Sequence, residues 1–298
     1  MGPGAVPGRG EIGMIDGRHT MYNPAERKID LVNEQTFRET LDQYGLDFRK
    51  ASKVVFKVGS DLIDLPFISY LHENLERVMQ DRVQPIIVTS GAIKTAKNDL
   101  GIRLNGTGDL RTAYAAVGQP VLMDYYSSVF GSKRVAQLLF TRRDLDPSIA
   151  DQSYYQQAVV TLENCIRNSI VPVVNENDSV VTEEIEFGDN DRLSAYVANA
   201  VDADVLVVLS KHALYDKNPE NADDPALIEI VPFVDDTVRG FAGQDANSTG
   251  TGGMRSKLEA RQILDPRIPF LIVEKDPRWP SLLDRVYRGT CIGSAAPE

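Results

Sequence analysis

Along most of the chain, short apolar runs alternate with longer stretches in which apolar positions recur every three or four residues. The runs cover 54–58, 85–89, 135–140, 171–174, 204–209 and 270–273, and they are rich in β-branched side chains. Near-continuous runs of this kind predict strands buried on both faces, as in a parallel sheet covered by helices. The stretches between them predict the helices. Over 66–80, Leu71, Leu75 and Val78 share one side, and over 153–168 Val159, Leu162, Cys165 and Ile166 point inward. Over 191–201, Leu193, Tyr196, Val197, Ala200 and Val201 follow helical spacing, and Asp189 stands where a capping side chain belongs.

The ends and one loop break this rhythm. Residues 1–10 hold four glycines and two prolines and predict a tail. Helical spacing returns over 34–44 through Phe37, Leu41 and Tyr44, on a helix expected to pack outside the domain or against a neighbouring subunit. Residues 1–50 therefore read as a partly disordered extension, with the folded unit starting at 51. The acidic, turn-rich segment 217–225 predicts a surface loop.

Composition narrows the function. A chain of 298 residues, 42% hydrophobic and 25% charged, can bury a real core. Its net charge of −11 argues against a nucleic-acid or anionic-membrane partner, either of which needs a basic surface. Cys165 and Cys291 are too few for a disulfide framework and fit a reducing cytoplasm. No apolar run approaches the roughly 20 residues that cross a bilayer.

In open parallel sheets ligands bind beyond the carboxyl ends of the strands, so the residues after each run carry the chemistry. Lys57 lies within the first run and is followed by Val58-Gly59-Ser60, which places an ammonium next to a turn where backbone approaches a phosphate. Its bland reading is a solvent-reaching lysine. Thr89-Ser90-Gly91-Ala92-Ile93 opens a helix whose amides suit a carboxylate or phosphate, or else makes an ordinary turn. Asn175-Glu176-Asn177-Asp178 sets four hydrogen-bonding side chains in a row, more than a plain turn needs and suited to an amino acid, with Asp178 meeting its ammonium. Gly188-Asp189-Asn190-Asp191 starts a helix, where Asp191 can hold lysines by pairing with them. Finally, Gly250-Thr251-Gly252-Gly253-Met254-Arg255-Ser256-Lys257 runs glycines into a helix bearing a lysine one turn inside. Three residues separate its last glycine from the lysine, so it is not a Walker P-loop.

With Ala115-Ala116-Val117-Gly118-Gln119 added, these strings resemble glutamate 5-kinase, within the amino-acid kinase superfamily, from about Val54 to Ser294. The resemblance implies an α/β fold: a three-layer αβα sandwich on a mainly parallel open sheet of about eight strands. A glutamate-binding lobe would span about 51–202 and a nucleotide-binding lobe about 203–298. It implies Ser90, Asp178 and Asn190 as glutamate contacts supported by Asn175 and Asn177, and Lys57 and Lys257 as the cations at the migrating phosphoryl group, organised by Asp191. Gly59, Ser210, Lys211 and the stretch Thr251, Gly252, Gly253, Met254, Arg255, Ser256 and Lys257 would face the nucleotide. It further implies ATP and Mg²⁺, a homo-oligomer, proline as a feedback inhibitor, and no metal held by protein ligands alone. The expected product is L-glutamyl 5-phosphate, the first intermediate of proline biosynthesis. Three departures cluster on the nucleotide side: Ser210-Lys211 where the family has Thr-Asp, Ala213 where a glycine is usual before Leu214, and Glu274-Lys275 where small residues are usual. They keep two rivals in play, a paralogue acting on another glutamate-like acid and a ligand-binding subunit without turnover.

Overall fold

The computed structural model describes residues 18–33, 35, 39, 51–80, 83–105, 110–131, 134–181, 189–242, 253–274 and 289–293. In chain order its elements are β1 (Arg18–Asn23), β2 (Lys28–Asn33), β3 (Lys53–Val58), α1 (Leu65–Gln80), β4 (Gln84–Thr89), α2 (Ala92–Lys94), α3 (Arg111–Phe130), β5 (Val135–Phe140), α4 (Arg142–Leu145), α5 (Gln152–Arg167), β6 (Val171–Glu176), α6 (Asn190–Ala200), β7 (Val205–Ser210), β8 (Ile230–Val231), α7 (Asp236–Ala242), α8 (Met254–Ile263), β9 (Phe270–Glu274) and β10 (Gly289–Ile292). A 3₁₀ turn, Ser60–Leu62, follows β3, and a π-type turn, Thr95–Asp99, extends α2.

The described strands form one sheet in the order β2-β1-β8-β10-β9-β7-β3-β4-β6-β5. Only the β1/β2 and β9/β10 pairs are antiparallel. The central strands are buried on both faces, and alternate residues feed two cores. Val54, Phe56 and Val58 pack with Val205, Val207 and Leu209 beneath Ile68, Leu71 and Leu75 of α1 and Leu122 and Tyr126 of α3. Val55, Val88, Leu206 and Val208 face the opposite layer, where Leu162 of α5, Leu193 and Val197 of α6, Val238 of α7 and Leu258 of α8 close over them. Each helix turns an apolar stripe to one side of the sheet, and this makes the three layers.

Several expectations are corrected. The sheet has ten described strands, and two of them come from the stretch expected to lie outside the domain. The hairpin β1–β2 adds to the sheet through β8, and its Tyr22 is fully buried, with Oη donating to Asp235 Oδ2 at 2.7 Å and its ring edge-on to Phe241. The boundary expected at residue 51 thus falls inside the sheet. Strand β5, expected to be buried on both faces, is the far edge and is partly exposed. Cys165 is half-buried rather than buried. The helix expected over 34–44 and the tail over 1–10 lie outside the described residues, except for Gln35 and Glu39.

Candidate active site

Strand β3 is central, with β7 on one side and β4 on the other, both parallel to it. Its carboxyl end opens at the crevice where such sheets bind ligands. Lys57 and Lys257 come from opposite ends of the folded unit, yet both reach Asp191 at the start of α6: Lys57 Nζ lies 2.5 Å from Oδ1 and Lys257 Nζ 3.2 Å from Oδ2. The lysines are 4% exposed and Asp191 is 0% exposed, so two ammonium groups share one carboxylate out of water. Ser256 Oγ donates to the same Oδ2 at 2.6 Å and to Gly253 O at 2.8 Å. Lys257 Nζ also folds back on Gly253 O at 3.3 Å, beside the N-terminus of α8.

The electrostatics follow from this crowding. Burial alone would raise the Asp191 carboxyl, but the ammonium groups of Lys257 and Lys57 hold it far below the usual carboxylate range. Burial pushes Lys257 below its ordinary value, against the pull of Asp191. Asp189, one residue outside the helix, caps α6 by accepting from Asp191 N at 2.7 Å and Arg192 N at 3.1 Å. Burial and the charge of Asp191 push it up to about 6.

One residue before Asp191 the chemistry is neutral. Asn190 Nδ2 donates to Thr89 O at 2.6 Å, Asn175 Oδ1 at 2.7 Å and Ser90 Oγ at 3.0 Å. Ser90 is half-buried, on a turn that requires glycine next to it: Gly91 has φ +104°, and a Cβ there would meet Ile63 at 3.0 Å. Asn177 and Asp178 lie half-buried in the turn after β6, where Asn177 N donates to Phe140 O at 2.9 Å.

The other expected nucleotide residues divide. Gly59 precedes the 3₁₀ turn, and a Cβ there would be 3.9 Å from Lys57 Nζ, which places this backbone beside the cation. Ser210 ends β7 opposite Glu274. Met254 packs into the core, and Arg255 is exposed with Nε on Glu259 Oε1 at 3.3 Å, so neither side chain joins the Lys57–Asp191–Lys257 group. Thr251 and Gly252 lie outside the described residues. Lys211 pairs with Glu220, which also lies 3.4 Å from His212 Nε2, while buried Glu274 accepts from Ala213 N at 3.0 Å. The replaced acid and the added acid therefore sit in one local charge network. Sequence reasoning gave Ser256 to the nucleotide, whereas its hydroxyl holds Asp191; it missed the Arg192–Glu259 pair, which ties α6 to α8 beside the buried lysines. The helical offset of Lys257 and Glu259 from Asp191 and Arg192 becomes visible only once the two helices are known to pack.

An αβα sandwich with two buried lysines on one acid at the carboxyl end of its central strand defines a phosphotransferase of the amino acid kinase class. Residues 52–265 match the model described as "Amino acid kinase family". The chain is 36% identical over 256 residues to a glutamate 5-kinase of Chromobacterium violaceum, covering 82% of this chain and 67% of that protein. It is 34% identical over 258 residues to one of Geobacter metallireducens, covering 83% and 68%. An aspartate kinase structure from Synechocystis superposes with a TM-score of 0.54 at 15% identity, over 81% of this chain and 40% of that one, and shares the fold. The chain belongs to the amino acid kinase family and, within it, to the glutamate 5-kinases.

Proposed function

We propose that the Lys57–Asp191–Lys257 cluster is the phosphoryl-transfer centre of an ATP-dependent kinase acting on the γ-carboxylate of L-glutamate. The observation that carries this reading is the two buried ammonium groups sharing one carboxylate, which fixes two cations where two anions must meet. A γ-carboxylate oxygen attacks the γ-phosphorus of ATP, and the bond from that phosphorus to the β,γ-bridging oxygen breaks. ADP leaves with the electron pair and L-glutamyl 5-phosphate forms. The acceptor is already ionised at neutral pH, so no general base is needed. Lys57 and Lys257 offset the repulsion as charge migrates, and Asp191 keeps their tips at fixed positions.

Ser90, Asn190, Asn175, Asn177 and Asp178 form the glutamate side. Gly59, Ser210, Lys211 and the start of α8 form the nucleotide side. Among the described residues no group of three or more His, Cys, Asp or Glu side chains is placed to hold a metal, and both oxygens of Asp191 already face cations. The ATP reading brings Mg²⁺ with it as part of the nucleotide substrate, carried on its phosphates. Two free thiols support work in the reducing cytoplasm. No described helix is long and apolar enough to cross a membrane. Family membership supports a homo-oligomer restrained by proline.

The test is hydroxylamine trapping of the acyl phosphate, with L-glutamate, L-aspartate and N-acetylglutamate compared side by side. Hydroxamate from glutamate above the other two is expected. Equal or greater yield from another acid would reassign the substrate, and no ATP consumption with any of them would remove the kinase reading.

A further inference from the structure

Gln119 lies outside the reaction as described, yet it is buried and joined to the glutamate side by a line of side-chain amides. Asn190 Nδ2 donates to Asn175 Oδ1 at 2.7 Å, Asn175 Nδ2 to Gln119 Oε1 at 2.9 Å, and Gln119 Nε2 to Gln137 Oε1 at 3.2 Å. Four carboxamides thus run from the start of α6 across the end of β6 and the middle of α3 to the edge strand β5. A close backbone approach seats α3 for this contact: a Cβ on Gly118 would fall 1.8 Å from Ala92 O, so no side chain fits between α3 and the helix that follows Ser90.

Two backbone groups fix the direction of the line. Thr89 O can only accept, so the Asn190 atom 2.6 Å away is its nitrogen. Glu176 N can only donate, so the Asn175 atom 2.9 Å away is its oxygen. Asn175 must then turn its NH₂ toward Gln119, which answers with a carbonyl oxygen. At the other end the two Asn190 Nδ2 protons serve three acceptors, so Ser90 Oγ, at 3.0 Å, takes a share of one of them, and the contact fixes the hydroxyl's place beside the carboxamide.

We propose that Gln119 is a positioning residue: through Asn175 and Asn190 it holds the Ser90 hydroxyl as an oriented donor toward a carboxylate oxygen of the amino-acid substrate. This rests on the assignment of glutamate to the Ser90 side of the cleft. Gln119→Leu removes the acceptor, leaves the buried Asn175 NH₂ unpaired and frees the two asparagines to turn.

The experiment is steady-state kinetics by hydroxamate trapping on the full chain. Gln119→Leu is expected to raise KM for glutamate about tenfold while KM for Mg-ATP moves less than about twofold. Gln119→Glu keeps an oxygen facing Asn175, and the exposed Gln137 amide can turn to meet its other oxygen, so KM near that of the parent chain is expected. If Gln119 acts through Ser90, the double variant S90A/Q119L is no worse than S90A alone. Additive effects, an equal rise in both KM values, or a Gln119→Glu variant as impaired as Gln119→Leu would each overturn the role of Gln119. If Gln119→Leu does not fold, the Gln119→Glu outcome still decides. A parent chain that turns over no glutamate would remove the substrate assignment, and the proposal with it, a failure seen before any variant is made.

Discussion

Asn190 and Asp191 are neighbours on one helix, and they organise their surroundings by different means. Around Asn190 everything is neutral and directional: backbone groups set the polarity, each amide answers the next, and the result is a shaped socket. Around Asp191 the contacts are charged, two cations on one carboxylate with a second carboxyl, Asp189, beside them, and the result is a field. A neutral network that loses one member loses its aim as the remaining amides turn, whereas a buried ion cluster that loses its acid leaves two ammonium groups facing each other without water. On the proposed reading the lesson is a division of labour, with recognition by geometry on one side of a peptide bond and catalysis by potential on the other.

The largest blow to this comparison comes from the charged side. Asp191→Asn should lower turnover by on the order of 10³ and cost about 3–5 kcal/mol of stability, read from hydroxamate kinetics and urea unfolding. An active, fully stable variant would mean that the lysines do not need their acid. Lys257→Ala should lose about 10²–10³ in turnover, with the protein still folded by circular dichroism. Full activity there, and in Lys57→Ala as well, would sink the electrostatic mechanism.

A pH series sharpens the contrast. The Asp189 carboxyl, pushed up to about 6 by burial and by Asp191, binds a proton more tightly in the folded chain than in the unfolded one. Its contribution is fully present below the ordinary carboxylate value near 4 and is lost as pH rises through 6. Asp191 behaves oppositely: the ammonium groups lower it, so its contribution holds above the ordinary value and disappears only in strong acid. Asp189→Asn should therefore flatten the decline in stability between pH 4 and 7 by on the order of 2 kcal/mol, measured by urea midpoints across that range. An unchanged pH profile would show that Asp189 is ionised throughout.

The smallest effect is expected at the partly exposed Arg192–Glu259 pair, where a double-mutant cycle should give about 0.5–1 kcal/mol of coupling in stability. Coupling several times larger would make this pair, and not the buried cluster, the main tie between α6 and α8.

Much of this was legible from residue order because the central strands announce themselves: 54–58 and 204–209 are apolar almost throughout, and a buried parallel strand must be. The lysines were legible for a related reason, since Lys57 interrupts such a strand and Lys257 follows a glycine run. The hairpin at 18–33 was passed over although it carried a signal, Asn23-Pro24 between stretches of alternating residues. Asn23 Oδ1 accepts from Ala25 N at 3.1 Å and Glu26 N at 3.3 Å, and Arg27 takes a left-handed φ of 53°, so the turn is built from local chemistry. Gln119 could not be found locally, because its partners lie 56 residues along the chain at Asn175 and 18 along at Gln137. The inward turn of Ser256 and the outward turn of Arg255 likewise depend on how α8 is rotated against α6, which spacing alone does not set.

The buried trio also bears on how a nucleotide arrives. A molecule of net charge −11 repels a polyphosphate at a distance, and the two buried ammonium groups act on it only at close range. Dissolved ions damp the first force over about a Debye length and hardly reach the second. Moderate salt should then quicken capture without loosening the grip, opposite to the behaviour of a protein that draws in its anion with an open basic face.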